Sequence, residues 1–175
     1  MAAMKFGPIL QNGYVVRDLE RAALHWASVL GAGPFYLLEH IQFGDAYLRG
    51  RPLKIDMSVA VGYWHDVQIE LIKQHDASPS IYNEFLASSG EGLQHLGVMV
   101  VSLDPELARL KAMGVEPVQW GATATGIRFA YVSSELHPGG MLELIESGPA
   151  INGFFGMARA AARDWDGKNP LRRPG

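Results

Sequence analysis

Apolar and polar positions alternate at the start of each half of the chain. Over residues 8–16, Ile9, Gln11, Gly13 and Val15 fall on one face of a strand, with Leu10, Asn12, Tyr14 and Val16 on the other. Residues 92–101 repeat the theme with His95 in place of Gln11. Superposing Gly13 on Gly97 puts Gln11 on His95, Val16 on Val100 and Leu19 on Leu103. A second echo closes each half, Ile69-Glu70-Leu71-Ile72 and Leu142-Glu143-Leu144-Ile145.

Between these echoes the same order of elements is predicted twice. In the first half Asp18 suits the N-cap of a helix running to about Leu30. Leu19, Ala22, Ala23, Trp26, Val29 and Leu30 are at helical spacing, and Gly31 is placed to end it. A strand follows over residues 34–41, then a loop over 43–53, which holds two glycines, a proline and two arginines. Residues 54–62 and 67–73 read as strands joined by a turn at Trp64-His65-Asp66, and residues 81–87 as a short helix. In the second half a helix starts at Asp104-Pro105-Glu106, with Leu107, Leu110 and Met113 inward and Gly114 as its stop. Strands over 115–120, 127–133 and 141–146 complete it. The expected fold is therefore α+β, two tandem β-α-β-β-β modules forming a curved mixed sheet around one cavity. Residues 1–89 make the first module with its connecting helix, 90–148 the second, and 149–175 a C-terminal helix and tail. That helix has Ile151, Phe154 and Phe155 on one side, which predicts either a homodimer or a tail folded back on its own sheet.

Composition changes this picture little, but it excludes several chemistries. The chain has 175 residues, 48% of them hydrophobic and 19% charged, as in an ordinary soluble globular protein. A net charge of −3 with no basic run argues against nucleic acid as a partner. The absence of cysteine removes disulfides, thiolate metal sites and cysteine nucleophiles together. No apolar stretch is long enough to span a membrane and no signal pattern opens the sequence, so the expected location is cytoplasmic.

The duplication places one polar side chain on the first strand of each module and one carboxylate on the last. A histidine at a strand start is ordinarily just a polar residue, and a lone strand glutamate a solvated charge. Here, however, Glu70 and Glu143 occupy matching places between aliphatic neighbours, where a carboxylate is costly unless paired or metal-bound. Gln11, Glu70, His95 and Glu143 thus form one candidate site. The glycine two residues after Gln11 or His95 lies on the same face and leaves room beside it.

The pattern resembles the vicinal oxygen chelate superfamily of glyoxalase I, methylmalonyl-CoA epimerase, extradiol dioxygenases and bleomycin-resistance proteins. The resemblance covers roughly residues 8–147. It rests on Gly-Tyr-Val-Val-Arg-Asp-Leu-Glu from Gly13, His-Leu-Gly-Val-Met-Val from His95, and His-Pro-Gly-Gly-Met-Leu-Glu-Leu from His137. It implies a divalent metal held by Gln11, Glu70, His95 and Glu143; Gln11 departs from the histidine usual in enzymatic members. Three oxygens and one nitrogen lean toward Mn²⁺, Co²⁺ or Mg²⁺, with Zn²⁺, Ni²⁺ and Fe²⁺ open. The implied activity is proton transfer on a small carbonyl substrate with vicinal oxygens, as an isomerase or lyase. Glu70, Glu143, Glu39 and His40 are the candidate bases, and Arg49, Arg51 and His75 the candidate substrate contacts. The alternative is a metal-free binding protein of the bleomycin-resistance type. An extradiol dioxygenase, which needs two histidines and a carboxylate for iron, fits Gln11 less well.

Overall fold

The computed structural model describes residues 6–135 and 137–174. The first half comprises β1 (Ile9–Val15), α1 (Leu19–His25), β2 (Phe35–Leu38), β3 (Phe43–Leu48), β4 (Arg51–Pro52), β5 (Met57–Trp64), β6 (Val67–Gln74) and α2 (Ile81–Ser89). The second comprises β7 (Gly92–Val100), α3 (Leu103–Ala112), β8 (Gln119–Thr123), β9 (Arg128–Ser133) and β10 (Met141–Glu146). After it come α4 (Pro149–Arg163) and β11 (Leu171–Arg172).

All eleven strands join one mixed sheet in the order β11-β2-β5-β6-β1-β7-β10-β9-β8-β3-β4. Its centre is the antiparallel pair β1–β7, where the two modules meet. On either side the pattern repeats, with β1 parallel to β6 and β7 parallel to β10. Convex-side residues such as Ile69, Leu71 and Ala60 pack under α1, while Val98, Val100, Ala130 and Leu144 pack with Leu103 and Leu110 of α3. The opposite face carries Val59, Val61 and Ile72, packed with Ile81, Tyr82 and Phe85 of α2.

Residues 43–53 are not a loop. β3 pairs with β8, at the far end of the other module, and β4 extends the sheet beyond it. Glycine, proline and arginine masked these strands because their partner lies some 75 residues away in sequence. The consequence is geometric. β2 lies near one end of the sheet and β3 near the other, yet only five residue steps separate Leu38 from Phe43, which span at most about 17 Å. The sheet must therefore curl until its ends nearly meet. The connecting strap, residues 39–42, is fixed to both: the Ile41 N–H donates to Met57 O of β5 (2.8 Å), and the Ala124 N–H, beside β8, donates to Gln42 O (2.8 Å).

Other departures are local. Asp18 caps α1 by accepting the Arg21 N–H at 3.0 Å. The following turn, Trp26–Leu30, is a π-helix, and its extra residue per turn rotates Val29 and Leu30 to solvent. α3 ends at Ala112, so Met113 lies beyond it and is exposed rather than inward. The strand expected from residue 115 begins only at Gln119, after Pro117. The strand expected from residue 54 begins at Met57. Among the described residues no helix is long and apolar enough to cross a membrane.

α4 resolves the question of its aromatic face. Ala158 packs with Tyr36 and Tyr63, Phe154 stands edge-on to Tyr36, and β11 then adds to β2. The tail folds back on its own sheet.

α2 contributes Tyr82 to the cavity, and its start depends on Ser80, whose buried hydroxyl accepts the Tyr82 and Asn83 N–H groups at 3.1 Å each. Ser80→Ala is expected to lower stability by about 1–2 kcal/mol, measured by urea unfolding, with Ser80→Asp recovering part of the cap.

Candidate metal centre

The parallel and antiparallel registers at the sheet centre bring four side chains together. Gln11 on β1 lies opposite Gly97 on β7, and His95 on β7 lies opposite Gly13 on β1. Each glycine makes room for the other module's side chain. A methyl group on Gly13 would stand 1.8 Å from the His95 ring, and one on Gly97 would stand 2.7 Å from Gln11 Oε1. β6 and β10 flank this pair and supply Glu70 and Glu143.

His95 Nε2 is the common point. It lies 3.2 Å from Gln11 Oε1, 3.4 Å from Glu70 Oε2 and 3.4 Å from Glu143 Oε2. The histidine is fully enclosed and both carboxylate side chains are largely so, 15% and 9% exposed. Donor atoms on a first-row ion with bonds of about 2.0–2.2 Å stand roughly 3.0–3.5 Å apart, so these spacings suit a shared divalent cation.

The supporting contacts orient the donors inward. His95 Nδ1–H donates to Gln94 Oε1 at 2.9 Å, which leaves Nε2 for the site. Gln11 Nε2 donates to Gln68 Oε1 (2.7 Å), and Gln68 Nε2 donates to the Tyr63 hydroxyl (2.9 Å). With its amide nitrogen so engaged, Gln11 presents its carbonyl oxygen to His95. Gln68 and Gln94 went unremarked as site residues in the sequence. The one signal for Gln68 is its position two residues before Glu70, on the same strand face.

Burial opposes a charge on His95, but close pairing with Glu143 and Glu70 outweighs it and pushes its pKa up to about 9. Burial likewise raises Glu70; the His95 contact works against the rise and the like charge of Glu143 adds to it. Without a cation the cluster is thus a protonated imidazole between two carboxylates. With one, the ion takes the proton's place.

Gln11, Glu70 and Glu143 line a cavity of about 780 Å³, and His95 is enclosed beside them. Met57, Val59 and Val61 form one wall and Phe129 and Tyr131 another, with Phe154 and Phe155 of α4 across from them. The other sequence candidates lie elsewhere. Glu39 and His40 are in the strap at the cavity mouth, where Glu39 pairs with Arg173 at 2.8 Å. Arg49 is held by both oxygens of Glu84 at 2.7 Å, and it shares a separate surface pocket with Arg51. His75 bonds Ser58 Oγ at 2.7 Å and stacks on His40.

Paired β-α-β-β-β modules curled about a buried cluster at their junction define the vicinal oxygen chelate class. The chain belongs to the Glyoxalase/Bleomycin resistance protein/Dioxygenase superfamily, whose family model matches residues 10–131. No curated protein matches it. Among solved structures, methylmalonyl-CoA epimerase from Mycobacterium tuberculosis is 22% identical with a TM-score of 0.61, over 87% of this chain and 96% of that one. A hypothetical protein from Bacillus halodurans C-125 is 19% identical with a TM-score of 0.59, over 81% and 95%. Streptomyces coelicolor methylmalonyl-CoA epimerase in complex with 2-nitronate-propionyl-CoA is 15% identical with a TM-score of 0.54, over 83% and 100%. At these identities the likeness is one of fold.

Proposed function

We propose that the protein is a metal-dependent enzyme of proton transfer, an isomerase or lyase acting on a small carbonyl compound with neighbouring oxygens. The observation that carries this reading is the convergence of Gln11, Glu70 and Glu143 on His95 Nε2 beside a largely apolar cavity. These four residues would hold the ion, which when bound supplies Lewis-acid stabilisation of negative charge on the substrate oxygens.

The chain's own residues do the rest. Glu70 is the base we assign for the C–H proton, since it lines the cavity from β6 and reaches the cluster there. Glu143 reaches the site from the opposite flank, so a proton returned there inverts the carbon while one returned by Glu70 retains it. Glu39 is a poorer base, because its bond to Arg173 holds its carboxyl below the usual range. The apolar walls exclude water and strengthen each polar contact.

The second reading is a metal-free binding protein. It is favoured by one observation, the closeness of His95 to both carboxylates, which lets the site neutralise itself. Thermal melts of chelator-treated protein with Mn²⁺, Co²⁺ or Zn²⁺ separate the two. A cation at a hundredfold excess over Kd adds about 2.7 kcal/mol. Gln11→His is expected to keep or enlarge that shift and Gln11→Ala to reduce it. If no divalent ion moves the wild-type melt more than that of a Glu70→Gln/Glu143→Gln variant, the enzyme reading falls and the binding reading stands.

A further inference from the structure

A second cluster of metal-ligating side chains lies outside the floor of the cavity. His40 in the strap, Asp56 just before β5 and His75 just after β6 each bring a donor atom within 4.8 Å of the other two. His40 Nδ1 meets Asp56 Oδ1 at 2.7 Å. The two imidazole rings lie 4.9 Å apart between centroids, with their planes tilted by 30°.

The histidines are exposed and the backbone beneath them is fixed. The buried Ser58 hydroxyl accepts the His40 backbone N–H at 3.0 Å and bonds His75 Nε2 at 2.7 Å, so one group fixes the His40 backbone and the His75 ring. The His75 N–H donates to Asp56 O at 2.7 Å. For His75, a hydroxyl engages one ring nitrogen and leaves the other for an ion, which is how metal-binding histidines are commonly held. The open pocket outside carries Asp45, Asp56 and Asp76 against the single Lys54, a field that favours a cation.

We propose that His40, Asp56 and His75 bind a divalent cation of the zinc class, distinct from the ion at the cavity floor, and that this ion pins the strap across the cavity mouth. Two imidazoles and one carboxylate select Zn²⁺, Co²⁺ or Ni²⁺ over Mg²⁺ or Ca²⁺. Ligand atoms on a tetrahedral ion stand roughly 3.3 Å apart, so the His40–Asp56 pair at 2.7 Å would open slightly, an adjustment these side chains can make without moving the sheet. The three residues come from three different elements, so an ion between them ties residues 39–42 to the ends of β5 and β6. The proposal does not depend on the reading of the deep site.

The test is zinc titration of chelator-stripped protein by calorimetry. In a Glu70→Gln/Glu143→Gln variant, which disables the deep site, one equivalent of zinc should still bind. Adding His75→Ala should weaken that binding at least tenfold. The same substitution in the wild-type background should remove one equivalent of two. Hydrogen exchange at the Ile41 amide should slow on zinc addition and stay unchanged in His75→Ala. Failure of the deep site alone would appear as a single equivalent in the wild type that the glutamate changes leave intact and His75→Ala removes, which supports the proposal. If zinc binding in the glutamate variant is absent or indifferent to His75→Ala while circular dichroism shows it folded, the proposal is overturned. Should the glutamate variant not fold, His75→Ala in the wild type decides alone, and unchanged stoichiometry rejects the site. Zinc that binds without slowing exchange at Ile41 rejects the pinning.

Discussion

Gly13→Ala is expected to be among the most damaging single-methyl additions in the chain. The new Cβ would sit 1.8 Å from one His95 ring atom and within 2.3 Å of two others. The ring has no room to retreat, being enclosed between Tyr131, edge-on at 5.3 Å, and its bond to Gln94. Relief requires either moving the histidine out of the site or parting β1 from β7, the pair on which both modules meet. Overpacking of a rigid interior typically costs 1–3 kcal/mol, and here about 3 kcal/mol or more is expected, with loss of the part of the metal-induced melt shift that depends on Glu70 and Glu143. Gly97→Ala should cost less, since its Cβ would lie 2.7 Å from Gln11 Oε1 and 3.0 Å from Gln11 Cβ, looser contacts than those to the His95 ring. Combining Gly13→Ala with His95→Ala should restore stability relative to Gly13→Ala alone, without restoring metal binding. Chemical denaturation of the three variants checks this, and a double variant no better than Gly13→Ala would show that the clash is not with the ring.

The second large effect is on pH dependence. In chelator-treated protein, stability should fall as the solution is made alkaline. The folded pKa of His95, about 9, lies above the unfolded value near 6.5, so the folded state holds a proton that the unfolded chain releases. The stabilisation is fully present below about pH 6.5 and is lost as pH rises through about 9, an effect on the order of 3 kcal/mol. Glu70, also raised, acts with the same sign at lower pH, because its proton too is held more tightly in the folded state. A bound divalent ion reverses the trend by displacing the His95 proton, so metal-dependent stabilisation should grow with pH over the same window. Melts at pH 6, 7.5 and 9, with and without Zn²⁺ or Mn²⁺, read both slopes. Equal stability of the metal-free protein at pH 6 and 9 would mean that His95 is not held protonated.

Much of this geometry was written in local sequence pattern. Alternation at Ile9 to Val15 and the Ile-Glu-Leu-Ile echo at Glu70 depend only on which face of a strand is buried, so the sheet's centre and its four inward side chains were legible. Gly13 and Gly97 were legible as a need for space. That each yields its space to the other module's side chain depends on the antiparallel register, which one strand cannot reveal. The same limit hid β3, whose residues look like a loop until β8 pairs with them, and Gln68, whose role is to hold an amide on another strand. Val29 and Leu30 misled for a different reason, because a single wide helical turn breaks the 3.6-residue period without any compositional mark.

The strap has a further consequence, for which chain a module pairs with. The two modules meet through the antiparallel strand pair β1–β7, and a seam made by one such pair invites exchange between two copies. In this protein the first module also reaches around the open side and adds β3 and β4 to the far edge of the second. Each half is thus joined to its own partner at two seams instead of one. Once β1–β7 has formed, closing the second seam is an intramolecular step at high effective concentration, and an exchanged pair would have to re-form both seams in trans. The segment least suggestive of structure in the sequence, residues 43–53, is the one that keeps the two halves of a single chain together.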